Sequence, residues 1–427
     1  MKKKSMSAPL KTGFFKYDDY EKYKFVFKIY NYIKLILVSP LIALHLITYP
    51  FLKIKLGWIN TKTIGNSTTA FEIFNHENKH KKNEIILWFT DNLIANKFWV
   101  KKIKKQYYFI PGIIGATICD FYSQFEFFQN LIVPTRNFKS SGDLDLIQKK
   151  TDLSPSTDIY GVIKDNEPLI KFNKKEIEAG ENFLKNNNIN KDDKIICIHN
   201  RSSSYRNEKC IAVRNSSIKN FEKSINFLTN LGCKVIRMGR DENDIILPDN
   251  NNFINYASSK DQSDFLDFYL ISKCKFLVSA ASGIVEIAVA MRKPILIHNY
   301  FPLINLIHCF GDYKRMILPK KIINIKTKKM LSFTDMLTKD SVNIEVSEDL
   351  EDRGIDLIEN TDSEILDSVE EMYNLIINKK EIDLDQTKFM MNFEKMFYGI
   401  VPNLKIASNF YKENIDLFEK SITKKAK

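Results

Sequence analysis

The sequence predicts an α/β protein of two open, parallel-sheet domains facing across a cleft, preceded by an apolar helical segment. Short apolar runs of strand length alternate with amphipathic runs of helical period along most of the chain. The alternation occurs twice, weakly over residues 60–130 and strongly over 194–298, with a polar patch between the two. A chain of 427 residues, 44% hydrophobic and 27% charged, is long enough for two folded domains and excludes a disordered protein. The expected organisation is a basic N-terminus with a membrane-associating apolar segment over 1–58, a first domain over 59–185, a second over 186–385 and a helical tail over 386–427.

In the N-terminal segment, nine lysines from Lys2 to Lys34 precede the stretch LILVSPLIALHLITYPFL, Leu35 to Leu52. A signal peptide begins closer to Met1 and ends in a small-residue cleavage site, which this stretch lacks. Its length sits at the lower limit for a membrane span, and Pro40, His45 and Pro50 interrupt it. A full span, a shallow or re-entrant membrane helix and a core helix all fit. The lysines would lie at the cytoplasmic face. A full span would then carry most of the chain away from cytosolic nucleotides, which favours the shallow arrangement.

In the first domain, NTKTIGN (60–66) reads as a strand, STTAFEIFNHE as a helix from a Ser/Thr cap, and NEIILWFT (83–90) as a strong strand. A basic helix over 94–105, a strand QYYFIPG (106–112) and a helix over 113–130 follow. The patch KSSGDLDLIQKKTDLSPSTD (139–158) reads as a connection.

The second domain is clearer. After a helix near 174–187 come the strand KIICIH (194–199), a helix over 216–231 closed by Gly232, and strands KVIRMG (234–239) and FINYA (253–257). A helix over 261–273 capped by Asp261, the strand KFLVSA, the helix GIVEIAVAMR and the strand PILIH complete the run. Beyond Pro319 the regularity fades, apart from an acid-led helix over 362–378.

Two constellations point to an anionic ligand. The first is the knot of small residues Ser279, Ala280, Ala281, Ser282 and Gly283, where a strand ends and a helix begins. A helix N-terminus offers unsatisfied N–H groups and a partial positive charge, small residues allow close approach, and Ser279 and Ser282 add hydroxyls. A diphosphate is the natural guest. Tight strand–helix packing with Ser282 as a cap is the plainer reading. Neither G-x-G-x-x-G nor a P-loop is present. The second is HNRSSSYRNEKCIAVRNSSI (199–218), which sets His199, Arg201, Arg206 and Arg214 after the strand 194–198, directed into the same cleft. Several arginines buried without partners would be costly, and guanidinium binds phosphate in bidentate fashion. Arg237, just before Gly239, calls for a partner: a ligand, Asp241 or Glu242.

These segments resemble a family of bacterial glycosyltransferases associated with surface-polysaccharide synthesis. The resemblance rests on CIHNR (197–201), RNSSIKNF (214–221), KVIRMG (234–239), NYASS (255–259), FLVSAASG (276–283), LSFTDML (331–337) and IENTDSEI (358–365), with TIGNSTTAFEIF (63–74) upstream. Family members carry an acid where this chain has Ser217 and a histidine where it has Asn66. The resemblance implies two Rossmann-like domains in a GT-B-like arrangement, with an acceptor on the first and a nucleotide-sugar donor on the second. His199, Arg201, Arg214, Asn215, Arg237, Gly239, Ser279, Ser282, Gly283 and Glu286 would contact the donor. Glu72 and His76 are the candidate general bases for an acceptor hydroxyl, and surface positions on the plainer reading.

The implied function is transfer of a sugar to a lipid-linked or surface-glycan acceptor at the cytoplasmic face of the inner membrane, as a peripheral, re-entrant or single-pass protein held by residues 35–52. No cofactor or metal is expected. Asp143-Leu144-Asp145 follows a Ser/Gly run rather than a strand and reads as loop, and six scattered cysteines without a CxxC pair fit a reducing compartment. A non-catalytic nucleotide- or sugar-binding partner of a polysaccharide assembly system is the alternative. A nucleic-acid partner is not expected: a net charge of +12 would suit one, but the lysines are dispersed and mostly terminal, with no recognition motif.

Overall fold

The computed structural model describes residues 24–78, 84–133, 158, 161–201, 213–240, 250–303, 314–333, 347–381, 384–396 and 404–419. The chain divides into two compact units, Met1–Asn137 and Phe138–Lys427. Both are α/β with parallel sheets.

The first unit opens with a long helix, α1 (Lys24–Leu52). Lys53 in the left-handed region (φ 44°) ends it, and β1 (Ile54–Ile59) starts at once. The strand expected at 60–66 is therefore displaced. It is formed by IKLGWI, which continues the N-terminal apolar run, while Ile64–Asn66 is a 3-10 turn. Then follow α2 (Thr68–Glu77), β2 (Ile85–Thr90), α3 (Lys97–Lys104), β3 (Tyr108–Phe109) and α4 (Gly112–Tyr122). The three strands pair in parallel in the order β1-β2-β3, and Ile132 adds a bridge beside Leu56 on the outer side of β1. Alternation along β2 sends Trp88 and Phe89 to opposite faces. Trp88 meets Phe71 and Phe74 of α2 at 5.0 and 5.4 Å between ring centroids. Phe89 enters a cluster with Val38 and Ile42 of α1 and Ile118 and Tyr122 of α4. Gly115 lets α4 lie this close, since a Cβ there would stand 2.3 Å from the Phe89 ring.

The second unit contains α5 (Lys174–Asn186), β4 (Ile195–His199), α6 (Glu222–Asn230), β5 (Lys234–Arg237), β6 (Phe253–Ile254), α7 (Asp264–Lys273), β7 (Phe276–Ala280), α8 (Gly283–Ala290), β8 (Ile295–Tyr300) and β9 (Arg315–Pro319). After these come β10 (Lys321–Asn324), α9 (Ser347–Asp352), β11 (Ile355–Ile358), α10 (Asp362–Ile376), α11 (Thr387–Met396), β12 (Lys405–Ile406), α12 (Ser408–Glu413) and α13 (Ile415–Glu419). Seven strands form one parallel sheet in the order β12-β9-β8-β7-β4-β5-β6. The chain thus starts at β4, runs outward through β5 and β6, then returns to the other side of β4 and runs outward again. That is the doubly wound order of Rossmann sheets, with its reversal between β4 and β7.

Four expectations shift here. The cap of α7 is Ser263, whose hydroxyl accepts from the Leu266 amide at 3.2 Å, rather than Asp261. The strand 253–257 shortens to two residues before a 3-10 turn at Tyr256–Ser258. The sequence boundary at 185/186 differs from the observed division because α5 belongs to the second unit: Glu181 accepts from Tyr269 and Lys273 of α7 at 2.6 and 2.7 Å. Residues after 386 are no appendage either. β12 pairs with β9, and buried Glu371 of α10 accepts from the amide and hydroxyl of Ser408 at 2.6 and 2.5 Å.

Candidate active site

Open α/β sheets bind ligands beyond the carboxyl ends of their strands, at the point where strand order reverses. In the second unit that point lies between His199, the last residue of β4, and Ser279 of β7, which are register partners. Their side chains meet, with His199 Nδ1 3.1 Å from Ser279 Oγ and 3.3 Å from Ser282 Oγ. Ser279 donates its own proton to the Ala280 carbonyl at 2.7 Å. Its oxygen therefore accepts from the imidazole, which places a proton on Nδ1. Ser282 holds the N-cap position of α8 in extended conformation without capping it; its hydroxyl turns to Ser279 and His199 instead. The first-turn amides of α8 are thus left uncapped by that side chain. Ala281 to Ile284 are only half-buried, so the corner is open to solvent.

Two neighbours complete this wall. Gly239, past the end of β5, has φ +109°, and a Cβ there would stand 2.9 Å from His199 Cδ2. Only glycine satisfies both the conformation and the approach. On the other side, His298 of β8 donates from Nε2 to the His199 carbonyl at 3.3 Å and accepts at Nδ1 from Asn299 at 3.1 Å. Burial drives its pKa down to about 3, so it stays neutral and sets the β4 terminus without charging it.

The described ends of the arginine segment, 199–201 and 213–218, meet at the same edge. Arg201 lies two residues beyond β4, and its carbonyl accepts from the Ser216 amide at 3.0 Å. That bond places the half-buried Arg214 and Asn215 beside it. Asn200 Nδ2 donates to the Ser216 carbonyl at 3.4 Å, and Lys320 Nζ donates to the Asn215 carbonyl at 2.9 Å. Ser217 caps a 3-10 turn, its hydroxyl accepting from the Lys219 amide. Glu359, from the far end of the sequence, brings a carboxylate to this position by accepting from the Ser217 amide at 3.2 Å and from Asn220 at 3.4 Å. Arg206, Asp241 and Glu242 lie outside the described residues. Arg237 is fully buried within the sheet and donates to Asn255 at 3.3 Å. Glu286 is half-buried on the first turn of α8.

The structure therefore brings His199, Arg201, Arg214, Asn215, Gly239, Ser279, Ser282 and Gly283 to one carboxyl edge, with Arg237 beneath it in β5. Sequence reasoning missed Lys320, Glu359 and the amide pair Asn299–Asn360. In that pair each backbone amide donates to the other's side-chain oxygen, at 2.6 and 2.7 Å. The one local signal was a charged residue directly after a buried strand, Lys320 after β9.

In the first unit Glu72 and His76 are partners, with Nε2 and Oε2 3.3 Å apart, but Glu72 is only 1% exposed. It is an interior carboxylate, neither a surface residue nor one presented at an edge. Burial, with the Glu72 charge added, pushes the Tyr107 hydroxyl up to about 12. At the carboxyl end of β2 stands Asp91, which accepts from the Thr61 amide at 3.1 Å and lies 3.6 Å from Lys62 Nζ. Burial raises its pKa against the pull of Lys62. Its signal in the sequence was an acid immediately after the strongest strand of the first half. The Asn66 side chain and Asp143 and Asp145 lie outside what is described. Among the described residues no group of three or more His, Cys, Asp or Glu is placed to hold a metal ion.

No family model matches the chain, and no curated protein does. Solved glycosyltransferase structures do resemble it. Escherichia coli ADP-heptose LPS heptosyltransferase II aligns at 12% identity and TM-score 0.37, over 57% of this chain and 84% of its own. A glycosyl transferase family 9 protein from Veillonella parvula aligns at 12% identity and TM-score 0.39, over 62% and 86%. A UDP-GlcNAc 2-epimerase from Methanocaldococcus jannaschii aligns at 10% identity and TM-score 0.31, over 62% and 89%.

Proposed function

We propose that this protein is a glycosyltransferase that moves a sugar from a nucleotide-sugar donor to a lipid-linked or surface-glycan acceptor. The observation that carries the reading is the meeting of His199, Ser279 and Ser282 at the reversal point of the seven-stranded sheet, with Arg201 bonded to Ser216 alongside. In the reaction the bond between the anomeric carbon and the diphosphate oxygen breaks, and the acceptor oxygen bonds to that carbon. Negative charge grows on the leaving diphosphate. In this reading Arg201, Arg214, the Ser282 hydroxyl and the first-turn amides of α8 donate to it, and preorganised dipoles of this kind lower such a barrier. Those groups supply the stabilisation a divalent ion gives in other designs.

The acceptor hydroxyl must lose its proton to a base. Glu72 and His76 are the candidates for that role, and Asp91, at the carboxyl end of β2, is a third. The buried position of Glu72 favours a second reading, a nucleotide-sugar-binding partner of an assembly system without turnover. The work place is the cytoplasmic face of the inner membrane, reached through residues 35–52.

A thermal-shift screen of nucleotide-sugars tests the site. A true donor at a hundred times its Kd stabilises the fold by about 2.7 kcal/mol, and Arg201→Ala loses the shift. Transfer or donor hydrolysis by the purified chain supports the enzyme. Saturable binding without turnover supports the partner protein. No stabilisation by any nucleotide-sugar or nucleoside diphosphate overturns both.

A further inference from the structure

Helix α1 presents two apolar faces. Leu35, Val38, Ile42, Leu46 and Tyr49 pack into the first unit's core. His45, on the same stripe, is held at both ring nitrogens: Nε2 donates to the Ile54 carbonyl at 2.8 Å, and Nδ1 accepts from the Tyr122 hydroxyl at 2.5 Å. The opposite face carries Ile36, Leu37, Leu44, Ile47 and Phe51, which are between 57% and 85% exposed. A solvated face would carry charges. Between Lys34 and Lys53 this helix carries none on any side.

Two observations say what covers that face. The first is charge. Residues 24–52 contain no Asp or Glu, while Lys28 and Lys34 stand before the apolar stretch and Lys53 after it. Lys34 also lies over the Tyr30 ring at 4.7 Å. Amines and aromatic rings bracketing an apolar surface match a headgroup layer above acyl chains, and anionic headgroups match the amines. A symmetric second copy would bring the same lysines to the seam, and α1 itself supplies no carboxylate to meet them, the one near Lys34 being Asp120 of α4.

The second is the backbone. Pro40 cannot donate to the Ile36 carbonyl, and the Ser39 hydroxyl does so instead at 2.8 Å. Thr48 likewise returns its hydroxyl to the Leu44 carbonyl at 2.8 Å. Water would serve such groups on a wet face; under hydrocarbon they need an internal partner.

We propose that α1 lies flat in one leaflet of an anionic membrane, its Ile36–Phe51 face sunk to the acyl boundary and its opposite face fastened to the first unit. The folded unit takes the place of the polar face of an ordinary interfacial helix. This deepens the membrane location given above and does not depend on sugar transfer. A spanning helix would need lipid all round, and Val38, Ile42 and His45 would have to leave their partners.

The test floats the full-length protein with vesicles of phosphatidylglycerol and phosphatidylethanolamine, with phosphatidylcholine vesicles as the neutral arm. The wild type is expected to float with the anionic vesicles, several-fold less with neutral ones, and to be released by alkaline carbonate. The triple variant Leu37→Glu, Leu44→Glu, Ile47→Glu is expected to keep its melting temperature and lose vesicle binding by about a hundredfold. Val38→Glu, on the packed face, should lower the melting temperature instead. Three outcomes overturn the proposal: no flotation of the wild type, unchanged flotation of the triple variant, or carbonate-resistant insertion with protease-accessible chain on both sides. So does a dimer that the triple variant disperses without any vesicle binding, since a second copy would then cover the face.

Discussion

His199 and Ser279 sit side by side on neighbouring parallel strands, and the proton between their side chains lies on His199 Nδ1. The pair orients the imidazole so that its Cδ2–Nε2 edge faces Gly239. Ser279→Ala removes the acceptor and leaves the ring to Ser282. Isothermal titration with the donor found in the thermal screen should show affinity falling about tenfold, the worth of one hydrogen bond in a site.

Gly239→Ala tests the same wall from the other side. The residue sits at φ +109°, and its new Cβ would press on His199. Denaturant unfolding should report a loss of about 1–3 kcal/mol from backbone strain and crowding together. Donor binding should fall as well, since the ring must move. Unchanged stability would mean that the loop after β5 is free to reshape.

Lys320 offers a cleaner separation of stability from function. It is buried, burial lowers its pKa against the pull of Glu359 and Asp356, and it donates to Asn215 in the arginine loop. Lys320→Met keeps the volume and relieves the cost of a buried amine, at the loss of one donor to the Asn215 carbonyl, so its two effects on stability oppose each other. The expected result is a melting temperature close to wild type with donor affinity reduced severalfold. A large loss of stability would make the lysine structural rather than positioning.

Asp267 gives a pH dependence with a definite sign. Burial pushes its carboxyl up to about 6 despite Arg240 and the Tyr256 hydroxyl, which favour the ionised form. Below about pH 4 the group is protonated in both folded and unfolded chains and contributes nothing. As pH rises from there to about 6 the unfolded chain ionises first, so the folded state loses stability, and the penalty is complete above that range. Asp267→Asn keeps an acceptor for Tyr256 and removes the penalty. Its stability relative to wild type should improve by about 2 kcal/mol between pH 4.5 and pH 7.5 in paired denaturation curves. A constant difference across that range would mean that Asp267 titrates normally.

The second sheet was legible because each of its central strands is a short apolar run, and parallel strands buried on both faces read that way. The small-residue corner and the arginine loop were legible because both follow such strands directly. The first unit was harder for a local reason. Ile54–Ile59 follows α1 after the single residue Lys53, and that left-handed turn residue is neither glycine nor proline. Period alone cannot divide a helix from a strand there. Glu359 and Lys320 were not read as site residues, although IENTDSEI holds Glu359, because their contacts Lys320–Asn215 and Glu359–Ser217 span more than 100 residues of chain. The burial of Glu72 was missed because one sequence face does not say how deep a residue sits.

The pairing of β12 with β9 has a consequence for biosynthesis. A ribosome that has made the chain through Pro319 has released six strands of the large sheet, with the outer edge of β9 bare. The segment that covers it, Lys405–Ile406, emerges about ninety residues later and is locked in place by Glu371 on Ser408. During that interval an unpaired edge is open to other nascent chains. Translation stalled or truncated anywhere in between should send the protein to chaperones or inclusion bodies, and nucleotide-sugar, however abundant, cannot rescue it.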